Sequence, residues 1–375
     1  MSHPPVVLGI DFGGTKIAVA VCDLAGNKLA SAVVESRGEL GARASFDNGV
    51  AAARELLRTA ADGAPLAAVG VATFGIPFED RVELAPAISG WSTLPLGRDL
   101  RAAFPGARIR MATDAKAAAE AEARWGALAG HDPAVYLNLG TGLAAAIITG
   151  SRVLTGRNGA AGEIGYSLRK LADVGLPTDR RILLEDMVSG QALQRRASES
   201  GRPLTTAEAF AASETDPELD ELVTAFVHEL AFHLVNLAIL VDPARIAVGG
   251  GMVRSWHRIH PALEVALRQA VPYPPELVLA HFPHDAPLLG AVAMAVDVAG
   301  DGRTQAAPGS LLGADGNRRD QSNGHTRTNS TMNASSRPQG DPQSGPSLAT
   351  SPSGTCPSGP ATLAASDGQN SALKG

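Results

Sequence analysis

The sequence predicts an α/β protein of two similar lobes with a cleft between them. Strand-like and helix-like segments alternate through the first 300 of its 375 residues. A unit of strand, Gly/Thr turn and strand opens the chain at VVLGIDFGGTKIAVAVCD and returns ~130 residues later at AVYLNLGTGLAAAIITG, and such a recurrence indicates a repeated architecture. We therefore expect two lobes of similar construction.

The composition excludes several classes of protein. Hydrophobic residues make up 45% of the chain, enough for sizeable cores, and we find no apolar run of the ~18–20 residues that a membrane span needs. The net charge is −6 without a basic stripe, so nucleic acid is not the expected partner. The two cysteines, Cys22 and Cys356, are too few for a disulfide framework. Since no signal peptide is recognisable, we expect a cytoplasmic protein without a membrane partner.

The first lobe begins with a predicted meander of three short strands. The β-rich runs VVLGIDF, KIAVAVCD and LASAVVES are separated by short glycine-containing turns, a pattern typical of sequential antiparallel strands. FDNGVAAARELLRTAADG has the periodicity of an amphipathic helix, and LAAVGVATFGI is a continuous apolar run that favours a buried strand.

The second lobe carries longer helical segments around its own strand unit. AKAAAEAEARWGALAG is rich in strong helix formers, and ELVTAFVHELAFHLVNLAILV is also helical in pattern. ARIAVGGGMV predicts a strand that enters a glycine-rich turn, and APLLGAVAMAVDVAG predicts a closing helix. The predicted parts are an N-terminal lobe at 1–114, a C-terminal lobe at 115–283, a closing helix at about 284–300 that can return to the first lobe, and a tail at 301–375.

The tail differs in composition from the rest of the chain. From Asp301 to Gly375 there is no Phe, Trp or Tyr, and Ser, Gly, Pro, Asn and Gln dominate. Such a segment cannot bury enough apolar surface to offset the entropy lost on ordering. We therefore predict a disordered tail.

A first candidate phosphate-binding turn lies between the first two predicted strands, in the run from Asp11 to Lys16. Gly13 and Gly14 let the backbone approach a ligand closely, and successive N–H groups can cradle phosphate oxygens. Thr15 and Lys16 add donors, and Asp11 can hold Mg²⁺ through water. The alternative is an ordinary hairpin turn that uses two glycines.

A second candidate turn follows the strand AVYLN, at Gly140, Thr141 and Gly142. The same glycines fit the dinucleotide pattern G-x-G-x-x-A, with Glu163 about 20 residues on as an acid for the ribose. That interpretation requires a helix after the glycines, whereas AAAIITG is a β-branched run that ends at a glycine. We favour a second phosphate hairpin.

Three glycines after a later strand, Gly249, Gly250 and Gly251, form a third candidate. Without side chains there, a nucleoside ring could lie against the backbone. The alternative is a plain turn from a strand into a helix.

Three carboxylates are candidates for chemistry on a substrate. Asp114 stands where a strand meets a long helix, a suitable place for a general base at a cleft. The alternative is that Thr113 or Asp114 only caps the helix. Glu163 and Glu185 could accept hydrogen bonds from sugar hydroxyls, or could be ordinary solvated acids near turns.

In this order and spacing, the segments resemble a ROK-family sugar kinase, the bacterial glucokinase-like branch of the actin-like ATPase superfold, over roughly residues 6–300. GIDFGGTK resembles the first phosphate motif of that family, LNLGTGLAAAIITG through GRNGAAGEIGY its signature and second phosphate motif, and VGGGM its adenosine motif. The resemblance implies a two-lobed, ribonuclease H-like fold that closes on ATP, Mg²⁺ and a sugar, and it implies a homodimer. It makes Asp114 the catalytic base and Glu163 and Glu185 the acceptors of sugar hydroxyls.

One departure from the family pattern removes its zinc ligands. The usual Glu-x-Gly-His reads Glu163-Ile164-Gly165-Tyr166 here, and the usual cysteine-rich segment reads VGLPTDRRILLE, which keeps only its final acid, Glu185. One His and three Cys are the zinc ligands of the family, and all four are absent. We therefore predict no zinc, since a zinc site needs its full ligand set, and expect Arg180 or Arg181 to hold the segment by hydrogen bonds.

Other departures lie near the predicted sugar and phosphates. Thr113 stands where the family often has Asn. The resemblance places both Thr113 and Tyr166 where they would contact the sugar and select it. Ala144, Ala145 and Ala146 replace a glycine-rich run after Gly142 and narrow the space near the phosphates.

Three functions are compatible with these patterns. The first is ATP-dependent phosphorylation of a hexose or amino sugar by a kinase. The second is a sugar-binding protein of the same fold with little catalysis, and the third is an NAD(P)-binding oxidoreductase. The sequence does not decide which sugar is used or whether polyphosphate replaces ATP.

Overall fold

Two five-stranded sheets organise the protein, whose computed structural model describes residues 3–300. The first sheet is built from β1 (Val6–Phe12), β2 (Lys16–Asp23), β3 (Lys28–Glu35), β4 (Leu66–Thr73) and β7 (Arg108–Thr113), and a separate ribbon consists of β5 (Ile76–Pro77) and β6 (Val82–Glu83). The strand order is β3-β2-β1-β4-β7, with an antiparallel meander followed by two parallel strands. The predicted meander of three strands is confirmed.

The second sheet repeats this plan. It contains β8 (Ala134–Leu139), β9 (Leu143–Thr149), β10 (Arg152–Val153), β11 (Arg245–Gly249) and β12 (Glu276–Leu279). The order β10-β9-β8-β11-β12 again places an antiparallel meander beside two parallel strands. The two strand–turn–strand units of the sequence, β1–β2 and β8–β9, therefore occupy equivalent places in two similar sheets.

Eight α-helices are present between residues 3 and 300: α1 (Ala42–Ala60), α2 (Leu96–Ala103), α3 (Asp114–Trp125), α4 (Gly190–Glu199), α5 (Thr206–Ala212), α6 (Pro217–Val241), α7 (Trp256–Ala270) and α8 (Ala286–Gly300). Helix α1 begins before the predicted Phe46, because Ser45 and Phe46 lie on its buried face. Phe12 stacks on Phe46 and packs at a tilted angle against Trp91 in the core beside the first sheet. A second core joins β8 and β11 to α6 and α7.

Helices α3 and α8 connect the two sheets. Ala118 and Ala119 of α3 pack with Tyr136 and Ala146 of the second sheet, while α8 packs against β1 and β4 of the first. The two helices also approach each other so closely that a side chain on Gly290 would overlap the backbone of Ala117. Asp114, the first residue of α3, therefore lies at the junction of the sheets.

Two predicted boundaries along the chain, at 114/115 and at 300/301, can be compared with this structure. The boundary at 114/115 falls in the first turn of α3, and the division into lobes at these residues stays a prediction. The predicted disordered tail at 301–375 lies outside the described residues.

The apolar character of helix α6 was not recognised in the sequence analysis. The helix is long and apolar enough to cross a membrane by length and composition, although no uninterrupted apolar run stood out. Half of its most apolar window is buried in the protein, where Phe226, Leu230 and Leu234 join the core beside the second sheet. Its apolar character therefore has an explanation in core packing.

Candidate active site

Two carboxylates meet at one edge of the first sheet. Strands β1, β4 and β7 run parallel, with Asp11 beside Ala72 and Ala72 beside Ala112, so Asp11 and Asp114 both lie near the carboxyl ends of their strands. Burial raises the pKa of Asp11 to about 7, and the nearby charge of Asp114 adds to this. Burial likewise raises the pKa of Asp114 to about 6, with Glu163 and Glu185 adding to the shift. The two groups therefore share one electrostatic environment.

The start of α3 separates the two interpretations of Asp114. The hydroxyl of Thr113 accepts a hydrogen bond from the N–H of Lys116 at 3.3 Å, so Thr113 is the N-cap of the helix. Asp114 accepts a hydrogen bond from the N–H of Ala115 at 2.7 Å and is not the cap. The capping explanation therefore applies to Thr113, which is buried, and leaves Asp114 available for chemistry.

The first glycine turn is a tight hairpin between β1 and β2. The N–H of Gly13 donates to the carbonyl of Lys16 at 3.0 Å, and a Cβ on Gly13 would lie 2.8 Å from that oxygen. The N–H of Ser36 donates to the carbonyl of Thr15 at 2.9 Å and fixes the outer side of the turn. Gly14, Thr15 and Lys16 are exposed. Their polar groups are therefore available to a ligand on a rigid support.

The second glycine turn is the equivalent hairpin between β8 and β9. Gly140 donates to the carbonyl of Gly142 at 3.1 Å, and Leu139 pairs with Leu143 across the turn. Strand β9 follows the glycines directly, so the dinucleotide interpretation, which requires a helix there, is wrong.

A cavity of about 450 Å³ lies beside the second turn. The first residues of α4 hold the turn from one side: Gly190 donates to the carbonyl of Gly140 at 2.9 Å, and Gln191 donates to that of Thr141 at 3.2 Å. The predicted residues Gly140, Thr141 and Gly251 line the cavity together with Gln194, Thr206 and Arg254. This cavity has the size of a small-molecule site, and Gln194, Thr206 and Arg254 place a few polar groups on its wall.

The other two glycines of the third candidate have a packing role. A Cβ on Gly249 would overlap the hydroxyl of Tyr136 on β8, and one on Gly250 would overlap the carbonyl of Leu139. Gly250 also has φ of 93°, which favours glycine. Of the predicted adenosine motif, Gly251 therefore lines the cavity. Gly249 and Gly250 instead allow β11 and the turn after it to pack closely against β8.

Glu163 and Glu185 are held by the protein rather than solvated. The ammonium of Lys116 lies 2.8 Å from Oε1 of Glu163, with the lysine side chain 3% exposed and the glutamate 18%. Oε2 of Glu185 accepts a hydrogen bond from the N–H of Leu143 at 2.7 Å. Burial raises the pKa of Glu185, with Asp186 and Glu163 adding to the shift. The interpretation as ordinary surface acids is therefore wrong.

Tyr166 and Arg181 organise the segment that lacks the zinc ligands. Arg181 donates to the carbonyl of Tyr166 at 2.6 Å and to that of Ser167 at 3.1 Å, which confirms the expected arginine contact and assigns it to Arg181. Burial raises the pKa of Tyr166, and the charges of Glu185 and Glu163 raise it further. Within residues 3–300, no three His, Cys, Asp or Glu side chains are grouped to hold a metal ion, and the zinc prediction itself awaits metal analysis.

The structure adds site residues that the sequence analysis did not select. Gln194, Thr206 and Arg254 line the cavity from α4, α5 and the 3₁₀ turn Gly251–Ser255. Lys116 pairs with Glu163 from a position 47 residues away. Only the lysine, a single cation in the Ala-rich start of α3, offered a sequence signal, because the other three lie outside any recognisable motif.

Comparison with known proteins agrees with this architecture. The model of the ROK family matches residues 7–298. The kanosamine kinase of Amycolatopsis mediterranei is 30% identical over 277 residues, which cover 71% of this chain and 87% of that protein. The glucokinase of Streptomyces coelicolor is 31% identical over 269 residues, which cover 66% of this chain and 82% of that protein.

Solved structures give the same result. The ROK hexokinase of Thermus thermophilus has a TM-score of 0.68 at 31% identity, covering 79% of this chain and 99% of that one. A ROK family glucokinase of Streptomyces griseus, solved with glucose and AMPPNP, has a TM-score of 0.62 at 29% identity, covering 77% and 98%. The protein thus has the two-lobed actin-like ATPase fold, and the chain belongs to the ROK family.

Proposed function

We propose that the protein phosphorylates a hydroxyl group of a hexose or amino sugar with ATP. The observation that carries this proposal is the position of Asp114, a carboxylate of raised pKa beside Asp11 at the junction of the sheets. The similar proteins include a kanosamine kinase, a glucokinase and N-acetylmannosamine kinases, so their named substrates define the candidate sugars.

Asp114 is proposed to accept the proton of the attacking hydroxyl. With a pKa of about 6 the carboxylate is ionised at neutral pH, yet it is a stronger base than an ordinary Asp. A base whose pKa lies near the working pH is the most effective kind in proton transfer. Its hydrogen bond from Ala115 fixes one carboxylate oxygen and limits its motion.

The two glycine turns are proposed to hold the phosphates of ATP. Thr15 and Lys16 present donors from the first turn, and Gly140 and Thr141 belong to the second. Phosphoryl transfer depends mainly on positioning and on neutralising charge. Asp11 suits Mg²⁺, which proteins often bind through one or two carboxylates, waters and substrate phosphates. Bound Mg²⁺ would neutralise phosphate charge.

The sugar is proposed to bind near Glu163, Glu185 and Tyr166. Glu163 keeps its second oxygen outside the ion pair with Lys116, and the charges of both glutamates act on the phenol of Tyr166. Thr113 was predicted to read the sugar, but its hydroxyl oxygen caps α3. Carboxylates that are fixed by the protein accept hydroxyl hydrogen bonds with defined geometry.

The second candidate is a sugar-binding protein with little catalysis, which the unusual Tyr166 and the capping role of Thr113 favour. A coupled assay of ADP formation over hexoses, N-acetylhexosamines and kanosamine separates the two. Sugar-dependent ADP formation supports the kinase, and sugar binding without turnover supports the alternative. Replacing ATP with polyphosphate in the same assay tests the phosphoryl donor. The predicted homodimer is checked by light scattering of the purified protein.

A further inference from the structure

A buried ion pair joins helix α3, which begins at Asp114, to the turn that contains Glu163, a predicted sugar ligand. Lys116 lies two residues after Asp114 in α3, and Glu163 lies in the turn before the 3₁₀ turn Ile164–Tyr166. Their charged atoms are 2.8 Å apart, and the lysine side chain is 3% exposed. This pair is therefore largely removed from water, where an ionic hydrogen bond has a strong orienting effect.

The backbone of Glu163 is fixed independently of this pair. The N–H of Ala145 on β9 donates to the carbonyl of Gly162 at 2.8 Å, and Ile164 donates to the same oxygen at 2.7 Å. A side chain on Gly162 would overlap the carbonyl of Ala145, so the turn lies directly against β9. With the backbone fixed, the free torsions of Glu163 are those of its side chain, and Lys116 restrains them.

The charges around the pair give the buried lysine an electrostatic role. Asp114 interacts with Asp11, Glu163 and Glu185, and Glu185 also interacts with Glu163. Lys116 is a buried cation within this group, whereas Lys16 is exposed in the first glycine turn. A carboxylate cluster without such a cation would be strained by like charges.

We propose that Lys116 is a positioning residue for the sugar: its ammonium holds one oxygen of Glu163, so that the other is presented to a sugar hydroxyl. The inference rests on the proposed function, because it takes Glu163 as a sugar ligand. A purely structural ion pair is the competing explanation, since breaking a buried pair destabilises a protein whatever its function.

The test is Lys116→Met, which removes the ammonium and keeps an apolar stem of similar length. We expect sugar KM to rise about 10–100-fold, the range for a lost hydrogen bond to a charged group. Because the charge of Lys116 also lowers the pKa of Asp114, kcat is compared at pH 8, where we expect it to fall much less. Lys116→Arg should restore much of the affinity because a cation is again present. An unchanged or lower sugar KM in folded Lys116→Met overturns the inference, as does equal damage from Lys116→Arg.

Arg110→Met is the matched control. Arg110 of β7 pairs with Glu120 of α3 at 2.6 Å, and neither residue is among the proposed sugar ligands. This variant removes a cation that is paired with α3 from the neighbouring strand, so a purely structural effect would lower its Tm without changing sugar KM. A rise in sugar KM equal to that of Lys116→Met would assign the effect to α3 as a whole and overturn the inference.

A double-mutant cycle, made on variants whose folding is checked by thermal unfolding, tests whether Lys116 acts through Glu163. The neutral pair Lys116→Met/Glu163→Gln avoids an unpaired buried charge. If Lys116 acts through Glu163, the double variant has the same sugar KM as Glu163→Gln alone. A further increase of about tenfold in the double variant would overturn the proposal.

Calorimetric titration with the same sugars separates this inference from the proposed function. If the wild-type protein binds sugar without forming ADP, the kinase proposal fails, and weaker binding by Lys116→Met still supports the positioning role. If the wild-type protein forms ADP and the variants bind sugar equally well, only the positioning role fails. If the wild-type protein binds no sugar of the panel, both are overturned.

Discussion

Replacement of Asp114 by Asn tests the proposed chemistry most directly. The variant keeps the size of the side chain and can still accept the hydrogen bond from Ala115, and the cap of α3 is supplied by Thr113. The variant cannot take a proton from a sugar hydroxyl. Because general-base assistance contributes ~10²–10⁴-fold, we expect kcat to fall by about that factor, with a much smaller change in sugar KM.

The same substitution should stabilise the protein at high pH. In the unfolded chain Asp114 ionises near its ordinary pKa of 3.8, while in the folded protein its pKa is raised to about 6. The folded protein therefore holds the proton more tightly, and its stability falls as pH rises from about 4 to about 6. At ~1.4 kcal/mol per pKa unit, ionisation costs about 2–3 kcal/mol above this window. Asn removes that cost at pH 8 and has little effect near pH 3.

The assay combines steady-state kinetics with thermal unfolding at pH 8 and at low pH. Asp114→Asn should lose turnover and gain Tm at pH 8, two effects of opposite sign that loss of folding cannot produce together. In the wild-type protein kcat/KM should fall as pH drops through about 6, where Asp114 becomes protonated. Glu120→Gln, on the same helix, should keep its turnover. Near-wild-type turnover of Asp114→Asn, or a lower Tm at pH 8, would refute the reasoning.

Three further predictions concern other parts of the chain. A Cβ at Gly142 would lie 2.5 Å from Oε2 of Glu185. Gly142→Ala should therefore displace this carboxylate from Leu143 and raise sugar KM about tenfold, with little loss of Tm. An unchanged sugar KM would argue against Glu185 as a ligand. Elemental analysis of tag-free protein should find no stoichiometric zinc, because the four family ligands are absent, and one zinc per chain would contradict this. Deletion of residues 301–375 should leave turnover and Tm nearly unchanged, because the segment has no aromatic residue; a Tm lower by several degrees would show that part of it docks.

The elements that local patterns encode were predictable. The meander at β1–β3 follows from short β-rich runs between glycine turns, and the hairpin at Gly140–Gly142 follows from the β-branched residues after it. Helix α1 is longer than predicted at its start. Ala42 and Ser45 continue its buried face at helical spacing, but one is small and the other polar, so the apolar pattern becomes visible only from Phe46. The membrane-like composition of α6 was missed because His and Glu interrupt its run of apolar residues.

Some features of the site residues could likewise be predicted from local sequence, and others could not. Asp11 and Asp114 could be selected because each stands at the end of a strand-like run. Whether Thr113 or Asp114 capped the helix could not be decided, because both residue types serve as caps and only the hydrogen bond to Lys116 distinguishes them. Likewise, Gly249 and Gly250 matched a ligand motif, but the approach of β11 to β8 gives them a packing role.

The sequence by itself determined the repeated strand–turn–strand plan, the two glycine hairpins and the family, because these depend on residues close together in the chain. Only the tertiary structure decided that Lys116 neutralises Glu163, that Arg181 holds Tyr166, and that Gln194, Thr206 and Arg254 share one cavity. These contacts join residues from separate elements. Their energies depend on distance and burial, which are set only when both sheets and their connecting helices have packed together.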